Sequence, residues 1–181
     1  LTVLGGSKFE SETVLAYEAG YRAQLHPRLT FDAAAFFDDY DNLRGTVDSL
    51  DAGDAPNFIR VISQLSNTSK GQTYGGELGA AWQPTDWWRL NAQFSLLEAN
   101  LKRPDNALTG ARQAFALASP RYQFSLRSGF ELGPHVEFDA WLRFVDRFDD
   151  AGAAIPGLTS MDRSVDSYVT LDLRLAWHPI R

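Results

Sequence analysis

From Tyr122 to Phe144 the chain alternates between apolar and polar residues with a period of two. Tyr122, Phe124, Leu126, Phe130 and Leu132 interleave with Gln123, Ser125, Arg127, Gly129 and Glu131. After Gly133-Pro134-His135 the pattern resumes, with Val136, Phe138, Ala140, Leu142 and Phe144 set against Glu137, Asp139, Trp141 and Arg143. Side chains two apart share one face of a strand, so this stretch predicts an antiparallel hairpin closed by a tight turn. One face is apolar and aromatic. The other carries charges that a dry core would reject. Strands of this kind suit a sheet whose apolar face meets lipid.

The same alternation predicts strands over 14–25, 29–37, 72–83, 88–96 and 167–177, with a weaker one at 58–65. Residues 1–11 show no period and read as a loop; beyond Phe37 the pattern decays into a polar, turn-rich stretch, and 66–71 reads as a bend. Tight turns at 26–28, 84–87, 133–135 and from His178 alternate with long polar connections near 45–60, 100–119 and 149–165. Short turns at one end and long loops at the other are the pattern of an outer-membrane barrel. Trp82, Trp87, Trp88 and Trp177 cluster at the tight turns, while Tyr17, Phe37, Tyr40, Tyr74, Tyr122, Phe144 and Tyr168 gather at the loop ends. Two such rings of aromatic residues are expected where a barrel crosses two lipid–water interfaces. The expected fold class is therefore all-β, an antiparallel up-and-down transmembrane β-barrel contributing about seven meandering strands. A soluble lipocalin-like barrel or β-sandwich also alternates, but would turn its apolar face to a core and keep its loops short at both ends.

Composition narrows the function. The 181 residues carry a net charge of -6, which argues against nucleic acid, whose binders present a basic face. There is no cysteine, hence no disulfide framework and no thiolate metal site. No stretch approaches the roughly 18 apolar residues of a membrane helix, which excludes helical spans and leaves strands untouched. The first residue is Leu1, and the chain is expected to be a fragment or processed piece.

Five segments resemble the C-terminal barrel strands of TonB-dependent outer-membrane receptors. Tyr17-Glu18-Ala19-Gly20-Tyr21-Arg22 is similar to their YExGYR strand, and Phe36-Phe37-Asp38-Asp39-Tyr40-Asp41-Asn42-Leu43 to their F(Y/F)xDYxNL segment. Thr73-Tyr74-Gly75-Gly76-Glu77-Leu78 is similar to TxGxEL; Ser119-Pro120-Arg121 and Tyr168 to Trp177 also look like family segments. The resemblance runs in family order from about residue 10 to the end. It implies a barrel of about 22 strands with a plugged lumen. Residues 1–181 would be part of that barrel domain, without the plug domain and the terminal strands. It further implies active import across the bacterial outer membrane of a scarce ligand, most often a ferric siderophore, with energy coupling through the TonB system. The partners implied are that ligand, TonB acting through a segment outside this chain, and outer-membrane lipid with its lipopolysaccharide. A passive porin-like channel is the alternative, and a plug domain upstream distinguishes the two. An enzyme barrel would need a catalytic constellation, and the sequence offers none. The expectation is no enzyme, no cofactor and no metal.

The residues expected on the inner face are Glu18, Arg22, Asp32, Glu77, Arg89, Arg127, Glu131, Glu137, Asp139, Arg143, Asp172 and Arg174. They grip the plug and line a path, or they simply face a wet lumen. Gly75 and Gly79 on that face either leave room for the plug or mark a bulge or bend. Trp141 is an aromatic exception there, accounted for only by packing on the plug. In the loop 100–119, Lys102, Arg103, Arg112 and Phe115 suit an anionic iron chelate or a lipopolysaccharide phosphate. Such residues are also ordinary in a solvated loop. Asp48, Asp51 and Asp54, and separately Asp146, Asp149 and Asp150, lack the ligand order of a calcium loop. His26, His135 and His178 each stand beside proline and read as turn residues.

Overall fold

The computed structural model describes residues 2–5, 9–51, 60–102, 119–150 and 163–179. Ten strands account for most of them: β1 (Thr2–Leu4), β2 (Thr13–His26), β3 (Leu29–Asp51), β4 (Arg60–Thr85), β5 (Trp88–Lys102), β6 (Tyr122–Glu131), β7 (Val136–Val145), β8 (Phe148–Asp150), β9 (Arg163–Val165) and β10 (Tyr168–Trp177). Seven form one antiparallel meander in the order β10-β7-β6-β5-β4-β3-β2, and the path does not close on itself. The tight connections β2–β3, β4–β5 and β6–β7 fall where predicted, the turn expected from His178 runs outside the described residues, and Gly133 takes the left-handed φ of 88° that the β6–β7 turn requires.

The register carries the sequence pattern across the sheet. One rung runs Tyr21, Ala33, Leu78, Phe94, Phe124, Phe144 and Val169 through all seven strands. The neighbouring rung, one residue away, runs Arg22, Asp32, Gly79, Gln93, Ser125, Arg143 and Thr170. Because successive side chains point to opposite faces, these rungs belong to an apolar face and a charged face. Among the described residues no apolar side chain is buried, so this sheet has no core of its own. That counts against a sandwich or soluble barrel, whose apolar rows would pack on one another.

On the apolar face the turn end is an aromatic cluster. The Trp88 ring lies 5.9 Å from Phe130, Phe130 lies 6.1 Å from Phe138, and Trp82 lies 6.2 Å from Trp88. Ser128 interrupts this face and is satisfied there, accepting a 3.0 Å bond from the Trp88 indole N–H. At the loop end Tyr17 meets Phe37 at 6.4 Å and Phe94 meets Tyr122 at 6.3 Å. On β3 and β4 the face is apolar from Leu29 and Trp82 up to Phe37 and Tyr74, and then turns polar at Asp39 and Gln72. Eight residue steps cover about 27 Å of strand, a band about 20 Å tall at a tilt of ~40°.

Three expectations are corrected. The polar stretch after Phe37 is not a loop: β3 continues to Asp51, and β4 takes in the described part of the weak strand, 60–65, and runs on through the expected bend at 66–71. Beyond the apolar band, strand is kept by ladder hydrogen bonds and polar side-chain contacts, so hydrophobic period no longer reports it. What marks 66–71 is a bulge, with register shifts between Tyr40, Leu43 and Gly45 and a left-handed Asn42 at φ 57°. Residues 2–4 are also strand, pairing parallel with Ile62–Gln64 of β4. The chain leading to β2 is held by Asn67, whose side chain accepts from the Glu10 N–H at 2.7 Å and donates to the Glu10 carbonyl at 2.9 Å. The third correction concerns 149–165, which begins and ends as the short β8–β9 pair.

Candidate functional site: the charged face

Alternation on the seven strands of the meander brings the twelve predicted residues to one face, where most neutralise one another. Arg22 of β2 pairs with Asp32 directly opposite on β3. Arg89 of β5 reaches Glu131 of β6 at 2.9 Å. Arg127 of β6 reaches Asp139 of β7 at 3.2 Å, and Arg174 of β10 reaches Asp139 at 2.8 Å and Glu137 at 3.1 Å. His178, just past β10, stands 3.4 Å from the same Glu137, and Arg143 of β7 pairs with Asp172 of β10. Half-exposed pairs of this kind each contribute only about 0–1 kcal/mol. Their effect is on the face's field, which they cancel locally. Glu18 and Glu77 make no such pair among the described residues.

Trp141 belongs to this network. Its indole N–H donates to Ser125 Oγ at 3.1 Å, and the Arg143 guanidinium lies 4.3 Å from its ring centroid. Gly75 and Gly79 prove different from each other. Neither sits at a register shift, so the bulge reading fails for both. A methyl group on Gly75 would run into the Leu96 carbonyl and meet the Phe36 ring at 2.8 Å, whereas one on Gly79 would meet only ordinary contacts near Asp32. Gly75 is thus required by a ring laid across the strand. Gly79 leaves space beside Glu77, and the face dips there into a trough of about 800 Å³ spanning β2 to β7.

Toward the loop end the same face carries a group that sequence reading missed. Asp38 accepts from Thr73 Oγ1 at 3.0 Å and from the Tyr40 hydroxyl at 3.4 Å. Asp38 and Tyr40 fall on one strand face by alternation, but Thr73 joins them only through the β3–β4 register. Beyond the apolar band Lys70 stands 2.8 Å from Asp41. The Lys70 hydrogen bond holds the Asp41 carboxyl below its ordinary value, and the same bond raises Lys70. Glu98 and Arg121 pair at the base of the long β5–β6 connection, with Arg121 over Tyr122 at 5.0 Å.

Of the loop candidates, Lys102 ends β5 with only its backbone described, and Arg103, Arg112 and Phe115 lie outside the described residues. The same holds for Asp54 and for the side chains of Asp48, Asp51, Asp149 and Asp150; Asp146 caps the Arg147 N–H at 2.8 Å. Among the described residues no His, Cys, Asp and Glu group has metal-binding geometry. His26 acts in its turn, Nδ1 accepting from the Arg28 N–H at 3.2 Å.

A family model for the β-barrel of TonB-dependent receptors matches residues 2–180. Among solved structures, the FrpB iron transporter of Neisseria meningitidis aligns with a TM-score of 0.71 at 13% identity, over 98% of this chain and 26% of that one. The ferric-catecholate import receptor Fiu of E. coli K12 aligns at 0.67 with 18% identity, over 97% of this chain and 22% of its own. The siderophore receptor PirA of Acinetobacter baumannii gives 0.64 at 17% identity, over 97% and 27% respectively. At such identities the likeness is one of fold, and the chain spans about a quarter of each of these proteins. An open antiparallel meander with one apolar and one charged face, matched along nearly its whole length by the family's barrel, belongs to the TonB-dependent receptors of the bacterial outer membrane.

Proposed function

We propose that this chain is a stretch of wall in an importer that takes up a scarce ligand, a ferric siderophore or a chelate like it, and is driven through the TonB system. Its apolar face meets lipid and, at the loop end, lipopolysaccharide. Its charged face, with Glu18, Arg22, Glu77, Arg89, Arg127, Glu131, Glu137, Asp139, Arg143, Asp172 and Arg174, looks inward onto a plug domain encoded outside residues 1–181. Lys102, Arg103, Arg112 and Phe115 are the residues we assign to contact with an anionic ligand.

The observation that carries this reading is the pair of adjacent rungs, one apolar throughout and the other without an apolar side chain and carrying Arg22, Asp32 and Arg143, that cross all seven strands of the meander. A wall built this way separates lipid from a polar interior and is too charged inside to hold an apolar core. Support for the ligand class comes from relatives described as an iron transporter, a ferric-catecholate import receptor and a siderophore receptor.

The test is growth of an iron-starved strain carrying the full-length receptor as its sole route for a panel of ferric siderophores. Uptake of at least one that disappears when TonB is deleted is the expected result. Uptake that persists without TonB and rises linearly with concentration would make the protein a passive channel.

A further inference from the structure

Above the apolar band two strands go on alone. Pairing of β2 with β3 stops at Thr13 and Asp41, and pairing of β5 with β4 stops at Lys102 and Lys70. From there β3 and β4 continue as a ribbon to Asp51 and Arg60. The steps from Asp41 to Asp51 cover about 33 Å of strand. At the base of the ribbon lies the bulge at Asn42, and a bulge bends the strand that carries it. Packing at the bend is close: Ser69 is buried, and a methyl group on Gly45 would meet its Oγ at 2.6 Å.

Two strands standing apart from a wall are only marginally stable in water. A third strand joins this pair. β1 lies along Ile62–Gln64 of β4, whose other flank is taken by Val47–Ser49 of β3. It therefore occupies the flank that β5 takes lower down, whereas β2 lies beyond β3. The chain from β1 to β2 must cross the ribbon from one flank to the other, at the level of the bend.

One side chain fastens it there. Asn67 Oδ1 accepts from the Glu10 N–H at 2.7 Å, and Nδ2 donates to the Glu10 carbonyl at 2.9 Å and to the Asn42 carbonyl at 2.7 Å. A primary amide has two N–H donors, and both are used. Asn67 thus gives a crossing backbone the two bonds that a strand running alongside would give, and holds the bulge carbonyl with the same group. Beside it the Glu12 carboxylate accepts from the Arg44 N–H at 2.7 Å.

We infer that Asn67 is a positioning residue: it clasps the chain entering β2 onto the bend of the β3–β4 ribbon, so that these two segments of the loop end move as one body. This rests on the reading above that the loop end faces the cell exterior. Whatever arrives from outside over this sector then meets one three-stranded blade in place of two independent loops. Aspartate cannot replace Asn67, because it keeps the acceptor for the Glu10 N–H and sets carboxylate oxygen against two carbonyls.

The experiment uses the full-length receptor in the outer membrane of intact cells. Leu4→Cys and Gln64→Cys, register partners across β1 and β4, form a reporter pair, and residues 1–181 hold no other cysteine. A short, membrane-impermeant bifunctional thiol reagent is expected to link them rapidly. Asn67→Ala and Asn67→Asp should slow the linkage about fivefold or more, as the loss of two or three hydrogen bonds implies. Glu10→Pro, which removes the donor on the other side of the clasp, should slow it likewise, and the combination with Asn67→Ala should add little. In isolated membranes, deuterium exchange of the ribbon amides over 61–66 should quicken in the same variants, Glu10→Pro included. Heat-modifiable mobility on gels monitors barrel folding; if Glu10→Pro does not insert, Asn67→Ala decides through linkage and exchange alike. A linkage rate unchanged by the Asn67 variants overturns the inference. So does a ribbon whose exchange ignores Glu10→Pro, since Asn67 would then serve the bulge alone. A single cysteine at position 64 that the reagent cannot reach from outside overturns the orientation itself.

Discussion

The two faces of this sheet are built from the same strands and obey different rules. On the apolar face neighbouring residues are interchangeable: Phe124 beside Phe94 and Phe144, Leu142 beside Leu126 and Leu171 make contact that any apolar residue would supply. On the charged face most charged residues have a specific partner, and Arg127 and Arg174 meet on one carboxylate, Asp139. Non-directional burial needs only the right kind of residue, whereas ion pairing needs the right residue at the right rung. The apolar face therefore tolerates exchange and resists charge. The charged face tolerates loss of a pair and is sensitive to shape.

The largest test of that contrast puts one charge on either face. Leu126→Arg in the full-length barrel should lower folding stability in bilayers by about 2–4 kcal/mol, and Ser125→Arg, one residue along, by much less. Denaturant titration of the refolded barrel measures both, and equal losses would dissolve the distinction between the faces. Next comes shape on the charged side. Gly75→Ala should cost about 1–3 kcal/mol, because a backbone carbonyl and the Phe36 ring occupy the space, while Gly79→Ala should be close to neutral. Equal tolerance at the two sites would mean that the ring does not lie where the structure puts it. Smaller still is the loss of one pair: Arg22→Ala should change stability by about 0–1 kcal/mol, and less at high salt.

The smallest effect lies beyond the apolar band, at Asp41 and Lys70. A carboxyl held below its ordinary value of 3.8 adds stability above that value and loses it as pH falls through the lowered one. A raised lysine adds stability below its ordinary value of 10.5 and loses it as pH rises through the raised one. The pair is therefore intact across the neutral range and fades only in acid or strong base. Amide exchange around residues 39–43 should be flat near neutrality and quicken on acidification below the ordinary aspartate value; in Lys70→Met exchange should be faster at neutral pH and the acid quickening smaller. A profile identical in the two proteins would show that the pair does not form.

Strand identity, facing and the alternation of tight and long connections were legible in the chain because each depends on residues two apart or on local turn chemistry. The predicted turn at Gly133 and the aromatic cluster around Trp88 come from such local signals. The length of β3 and β4 was not legible, since beyond Phe37 and Tyr74 nothing rewards apolar residues and only ladder bonds and polar side-chain contacts remain. Trp141 looked out of place until β6 supplied Ser125 as its partner.

By itself the sequence determined that this is a sheet with one face for an apolar medium and one for a polar interior, since a period of two is written into each strand alone. Which charges meet, which glycine is covered, and that Asn67 meets Glu10, 57 residues away, were decided only by the tertiary structure. Those facts depend on register between strands distant in the chain, and a shift of one residue would exchange the two faces against their neighbours.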